Sequence, residues 1–283
     1  SLFRLMKLIK SIPLIILLFF MTAIVSQAQQ RGLKISIKNP HGESIAMYDN
    51  SFALLIGASN YQHWPQLPGV KKDITAIRKS LKKSGFTIEQ VIDPDAAELK
   101  NSINRFISQH GHKKNARLLF YFAGHGHTLK LSYGEDMGYI IPIDAPNPQL
   151  DKIEFINKSL DMQLIEVYAK RIQAKHALFV FDSCFSGSIF ALSRAAPSLI
   201  NYKTNHPVRQ FITSGSANET VPDDNLFRKM FVSGIQGEAD MDQDGYVTGS
   251  ELGGFLQSRV INYSKNSQHP QYGKIRKDRK SVV

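Results

Sequence analysis

Three uninterrupted apolar runs constrain this chain most. Phe52-Ala53-Leu54-Leu55-Ile56 ends in Gly57; the run from Arg117, apolar from Leu118 to Ala123, leads into Gly124-His125-Gly126; and Ala177 to Phe181 leads into Asp182-Ser183-Cys184. A strand with one wet face alternates polar and apolar residues. A short run without that alternation is a strand buried on both faces, the mark of a parallel sheet covered on two sides. The intervening segments carry the helical period. Asp73 to Lys83 puts Ile74, Ile77 and Leu81 on one face and stops at Ser84-Gly85. Asp93-Pro94-Asp95 caps a helix reaching His110, with Leu99, Ile103, Phe106 and Ile107 in register. Phe86 to Ile92, Tyr139 to Pro142 and Val208 to Thr213 read as further strands, and Leu160 to Ile172 as a helix. Strand and helix alternate, so the fold class is α/β, a mainly parallel sheet with helices on both faces.

The flanks of this core read differently. Met6-Lys7-Leu8-Ile9-Lys10 is basic, Ile12 to Val25 is apolar apart from Pro13 and Thr22, and Ser26-Gln27-Ala28 offers the small residues a signal peptidase reads. Residues 1–28 therefore read as a secretory signal, its true start at Met6, and the protein as exported to the periplasm or beyond. The apolar stretch is short against the about 20 residues of a membrane span, so no stable membrane insertion is expected after cleavage. Residues 29–50 alternate and turn as a short β segment, 51–273 form the main domain, and 274–283 are a basic tail. The net charge of +11 is inflated by the leader and by that tail, and no aromatic-interleaved basic stripe or nucleic-acid motif occurs, so no nucleic-acid partner is expected.

Cys184 is the only cysteine of the sequence. In an oxidising compartment an unpaired thiol is either buried or used, and its surroundings favour use. In parallel sheets functional groups gather at the carboxyl ends of strands, which is where His125 and Cys184 both fall. An imidazole there can take a thiol's proton and return it to a leaving amine. The developing oxyanion needs backbone N–H donors, for which Gly126 and Cys184 are the candidates.

Tyr121-Phe122-Ala123-Gly124-His125-Gly126 and Asp182-Ser183-Cys184-Phe185-Ser186-Gly187 resemble the two catalytic blocks of the caspase/metacaspase superfamily of cysteine peptidases. Phe52 to Tyr61 and Leu67 to Asp73 resemble the opening of its bacterial members, so the likeness runs from about Phe52 to Gly273. It implies a caspase-like three-layer α/β/α sandwich, a Cys184/His125 dyad, and hydrolysis of peptide bonds in a protein or peptide substrate. Caspases carry Gln two places before the nucleophile and cleave after Asp; metacaspases carry Asp there and cleave after Arg or Lys. This chain has Asp182, and Asp73 matches the second pocket carboxylate of the metacaspase pattern. Two converging carboxylates would hold a guanidinium or ammonium and reject an acid. Three departures stand out. Ala123 replaces a common Ser, Phe185 replaces a His, and only Glu135 and Asp136 remain of the acidic tract that follows the histidine in calcium-dependent relatives.

A calcium candidate lies elsewhere. Asp240 to Glu251 fits a 12-residue EF-hand loop, with ligands at Asp240, Asp242, Asp244, the Tyr246 carbonyl and Glu251, and Gly245 at the turn. The chemistry itself needs no cofactor. His127 forms a His-x-His with His125 but finds no third ligand in the sequence. Arg194 and Lys203, in the polar stretch Ser188 to Pro207, are candidate self-cleavage sites. The competing reading is a non-proteolytic caspase-fold interaction module gated by calcium.

Overall fold

A computed structural model describes residues 35–38, 44–132, 134–184, 208–216, 219 and 225–274. The leader, the whole 188–207 stretch with Arg194 and Lys203, and the tail beyond Lys274 lie outside the described residues.

A short antiparallel pair, β1 (Ile35–Lys38) and β2 (Ser44–Tyr48), precedes the main sheet as a separate two-stranded sheet. The main sheet holds β3 (Asn50–Gly57), β4 (Thr87–Ile92), β5 (Ala116–Ala123), β9 (His176–Cys184), β10 (Val208–Gly215) and β11 (Gln271–Lys274). Their order is β11-β10-β9-β5-β3-β4, all parallel except β11 at one edge. A small antiparallel sheet, β6 (Gly126–Lys130), β7 (Asp136–Ile140) and β8 (Leu160–Asp161), follows the Gly124-His125 turn.

Period-two alternation sorts the strand side chains into two cores. Phe52, Leu54 and Ile56 of β3, with Leu118, Phe120 and Phe122 of β5, pack on one side against α2 (Ala96–His110) and α4 (Met162–Arg171). Ala53, Leu55, Leu119 and Tyr121 face the other way, toward α1 (Val70–Lys83), α5 (Leu226–Ser233) and α6 (Gly249–Tyr263). Both faces are covered, which gives the three-layer sandwich its shape. Ile74 and Ile77 of α1 are fully buried. Each such burial is worth about 1.5–3 kcal/mol, so packing rather than intrinsic propensity holds this helix.

Several boundaries depart from the sequence reading. Helix α1 begins at Val70, not Asp73, because Gly69 already has helical backbone angles. The helix expected from Leu160 begins at Met162: Leu160 and Asp161 pair with β7, and the Asp161 carboxylate then caps α4 by accepting from the Leu164 N–H at 2.7 Å. Helix α3 (Lys152–Lys158) and strand β6 carry no clear sequence signal; α3 buries only Phe155. Strand β9 extends through Cys184, three residues beyond the apolar run.

Candidate active site

The connection from β3 leads outward to β4, and the chain then returns to β5 on the other side of β3. Such a reversal opens a crevice at the carboxyl ends of the two central strands. His125 follows β5 at that crevice. On the next strand, Ala123 lies opposite Asp182; the Gly124 N–H donates to the Asp182 carbonyl at 3.3 Å, and Ser183 Oγ donates to the Gly124 carbonyl at 2.7 Å. Ser214 Oγ ties the Ser183 carbonyl from the far side at 3.3 Å, with Gly215 in register with Cys184. His125 and Cys184 are thus each the next residue beyond a cross-linked pair, on neighbouring strands. Gly124 itself admits no side chain: a Cβ there would stand 2.6 Å from the Tyr61 hydroxyl.

The imidazole is caged by neutral groups. The backbone is fixed first: the His125 main-chain N–H donates to Tyr61 Oη at 2.7 Å, the Tyr61 hydroxyl donates to the Ile141 carbonyl at 3.0 Å, and the Ile141 N–H returns to the His125 carbonyl at 3.1 Å. His125 Nε2 meets the Pro65 carbonyl at 2.8 Å. A carbonyl only accepts, so Nε2 carries the proton and Nδ1 is the free base. The Tyr61 and Trp64 rings flank the imidazole at centroid distances of 4.6 and 5.6 Å. Burial pushes the His125 pKa below its ordinary value, only partly opposed by the Pro65 contact, so the ring is neutral at neutral pH. The loop carrying Tyr61 is held in turn by Asp93, whose left-handed backbone (φ 56) aims its carboxylate at the Ser59 and Asn60 N–H groups, 2.7 and 2.9 Å away. Lys71 Nζ completes that clamp at 2.8 Å.

The pocket side is charged. Asp73, in the first turn of α1, is 7% exposed and accepts from Arg228 Nε of α5 at 2.8 Å. The Asn225 amide, turned with its nitrogen inward, donates to both Asp73 oxygens at 2.7 and 2.6 Å. Asp182 accepts from the fully buried Tyr121 hydroxyl at 3.0 Å. Burial pushes the Asp182 carboxyl up to about 6; the Tyr121 and Ser214 hydroxyls and the Arg228 charge pull against that, while the Asp73 charge adds to it. The structure therefore brings Asp73, Asp182, Tyr121 and Arg228 into one cluster at the carboxyl end of β9.

Comparison with known proteins gives the family and the fold. The family model described as the caspase domain of peptidase family C14 matches residues 50–272. This chain belongs to the C14 caspase-domain family. The chain is 27% identical over 135 residues to the human mucosa-associated lymphoid tissue lymphoma translocation protein 1, an alignment covering 47% of this chain but only 15% of that protein. The crystal structure of protein GSU0716 from Geobacter sulfurreducens superposes with a TM-score of 0.54 at 14% identity, covering 81% of this chain and 95% of that one. At that identity the likeness speaks for the fold.

Of the caspase-domain residues read from the sequence, His125, Asp73 and Asp182 are placed as described, and Gly126 opens β6 opposite Ile140. Tyr61, the Pro65 carbonyl, Tyr121 and Arg228 carry no sequence signal of their own. They reach the site only through long-range contacts. His127 packs against Trp64 and Phe155 instead of gathering ligands. Among the described residues, the grouping of acidic and histidine side chains with metal-holding geometry is Asp240, Asp242 and Asp244, whose oxygens lie within 4.8 Å of one another. Gly245 turns there at φ +86, and Asp240 accepts from the Asp244 and Gly245 N–H groups at 3.1 and 2.9 Å. Burial raises the Asp244 pKa, with the Asp242 and Glu251 charges adding to the rise against the Tyr246 N–H contact. This all-oxygen set suits a hard cation. Glu251 is engaged in a capping box with Thr248 at the start of α6. Among the described residues no helix is long and apolar enough to cross a membrane.

Proposed function

We propose that this chain is an exported cysteine endopeptidase that cleaves after Arg or Lys, with Cys184 as nucleophile and His125 as acid–base. The observation that carries the reading is the anchoring of His125: Nε2 is fixed on Pro65 and burial keeps the ring neutral, so Nδ1 is ready to accept a proton. Cys184 Sγ attacks the scissile carbonyl carbon and its proton passes to Nδ1. The carbonyl π electrons move onto oxygen, where the Gly126 and Cys184 N–H groups are the proposed donors. The C–N bond then breaks, the amine leaves with the proton from Nδ1, and a thioester remains. Water, deprotonated by His125, hydrolyses the thioester and restores the thiol. Asp73 and Asp182 form the proposed pocket for the basic side chain. Residues 1–28 are the proposed export signal. The three-aspartate loop is proposed to bind calcium; Asp240, Asp242 and Asp244 would hold it, and its contribution would be to brace α5 against α6. A rise in melting temperature with calcium that Asp242→Asn abolishes supports that part, and identical melting with and without calcium refutes it.

The test of the main reading is turnover of amide reporters ending in Arg, Lys or Asp, with and without chelator. Arg and Lys reporters turned over, and lost with Cys184→Ala, is the expected result. No turnover of any reporter and no labelling of Cys184 by an electrophile would favour a non-proteolytic interaction module. Turnover of the Asp reporter alone would sink the pocket assignment.

A further inference from the structure

The acidic pocket already contains a guanidinium. Arg228 reaches Asp73 from α5, 155 positions along the chain, and the pair is largely withdrawn from solvent, with side chains 15% and 9% exposed. The approach is built, not incidental. Asn225, immediately before α5, adopts left-handed backbone angles (φ 59, ψ 22) and makes no capping hydrogen bond to its own helix. Its amide is spent on both oxygens of Asp73 instead. The first turn of α5 thus delivers one cation and two N–H bonds to the carboxylate that a substrate's basic side chain would need. A second cation cannot share Asp73 at hydrogen-bond distance while Arg228 stays, because two like charges that close in a dehydrated site repel strongly.

We propose that Arg228 is the resident occupant of the specificity pocket, and that a substrate's Arg or Lys binds by displacing it from Asp73. This rests on the basic-side-chain reading above. Displacement sets a threshold that only substrates with good neighbouring contacts overcome. It also favours Arg over Lys, since a planar fork replaces the Arg228 and Asn225 bonds together and an ammonium does not.

The experiment compares reporters ending in Arg, Lys and norleucine on the wild-type protein, Arg228→Gln and Arg228→Lys, with thermal melting as the check of folding. Removing the occupant should lower KM for the Arg reporter tenfold or more in Arg228→Gln relative to any change in the norleucine KM, and tighten competition by benzamidine to the same degree. Lysine, a weaker occupant, should give a smaller shift in the same direction. If Arg228→Gln does not fold, Arg228→Lys decides alone. A folded variant whose KM for the Arg reporter is unchanged or raised overturns the proposal. Turnover of only an Asp-ended reporter by all three proteins overturns it as well, but through failure of the pocket reading, a result distinct from Arg turnover that ignores residue 228.

Discussion

The two halves of the crevice are built on opposite principles. Around His125 every fixing contact among the described residues is a neutral hydrogen bond or an aromatic face: Tyr61 and Ile141 hold its backbone, and the Pro65 carbonyl with the Tyr61 and Trp64 rings hold the imidazole. Around Asp73 and Asp182 charges meet in a buried cluster, where Arg228 pairs with Asp73 and the Tyr121 hydroxyl donates to Asp182. A neutral cage fixes geometry and leaves the base free. An ionic cluster is sensitive to protonation and to any competing cation. The fold thus separates the half that must keep its shape from the half that must respond to a ligand.

The largest effect should come from the neutral half. His125→Ala removes the proposed proton carrier, and kcat should fall about 10²–10⁴-fold for every reporter alike, with norleucine and Arg reporters losing in proportion. A loss confined to the Arg reporter would break the division between the halves. Tyr61→Phe is next. Its hydroxyl accepts from His125 and donates to Ile141 while 2% exposed, so its removal strands two buried groups. Stability should fall by about 1–3 kcal/mol and kcat by about 10–100-fold through misplacement of the ring. Denaturant unfolding and reporter kinetics measure the two separately.

How far the sequence reached divides along similar lines. The strand ends carrying His125 and Cys184 were legible because runs such as Phe52–Ile56 and Leu118–Ala123 need no partner to declare themselves buried. Helix α2 was legible through its Asp95 cap and its regular apolar spacing, and the caspase-domain likeness through two short blocks. Strand β6 was not, because Gly126 to Lys130 is half exposed and becomes a strand only by pairing with β7. The Arg228–Asp73 pair was out of reach, since no local pattern links a helix start to an arginine 155 positions away. Tyr61 is the same case: its register with His125 is a product of how β3 and β5 align, not of its own neighbours.

The ionic half should answer to pH. Asp182 titrates at about 6 in the fold against an ordinary 3.8. The folded chain therefore holds that proton more tightly than the unfolded chain, so stability is greatest below the ordinary value and declines as pH rises through the folded one. Asp182→Asn should flatten that decline, giving a variant up to about 3 kcal/mol more stable than wild type at pH 7. The same substitution should cost the Arg reporter about 10–100-fold in kcat/KM, one charged hydrogen bond's worth, and remove an acid limb near pH 6. His125, with its pKa held below the ordinary imidazole value by burial, then supplies the remaining limb. Norleucine kinetics should show the His125 limb alone in both proteins. A norleucine profile that also shifts would place Asp182 in the chemistry and not in the pocket.

The smallest effect should come from the Lys71–Asp93 ion pair on the neutral side. Lys71 and Asp93 meet at 2.8 Å, but the Lys71 side chain is 47% exposed, against 15% for Arg228 in its pair. Burial alone would raise the Asp93 pKa, but Lys71 and the Asn60 and Ser59 N–H groups outweigh it and hold the carboxyl below its usual value. That stabilisation is present above the ordinary carboxylate range and is lost as pH falls through the folded value. An exposed pair is worth about 0–1 kcal/mol and is screened by salt, and the backbone bonds to Asp93 survive without Lys71. Lys71→Met should therefore shift melting only slightly, less still at high salt, and reduce turnover of Arg and norleucine reporters by the same small factor. A change in the ratio between the two reporters would mean that the charge of Lys71 is felt in the pocket, and that the wall between the neutral and ionic halves is electrostatically thin.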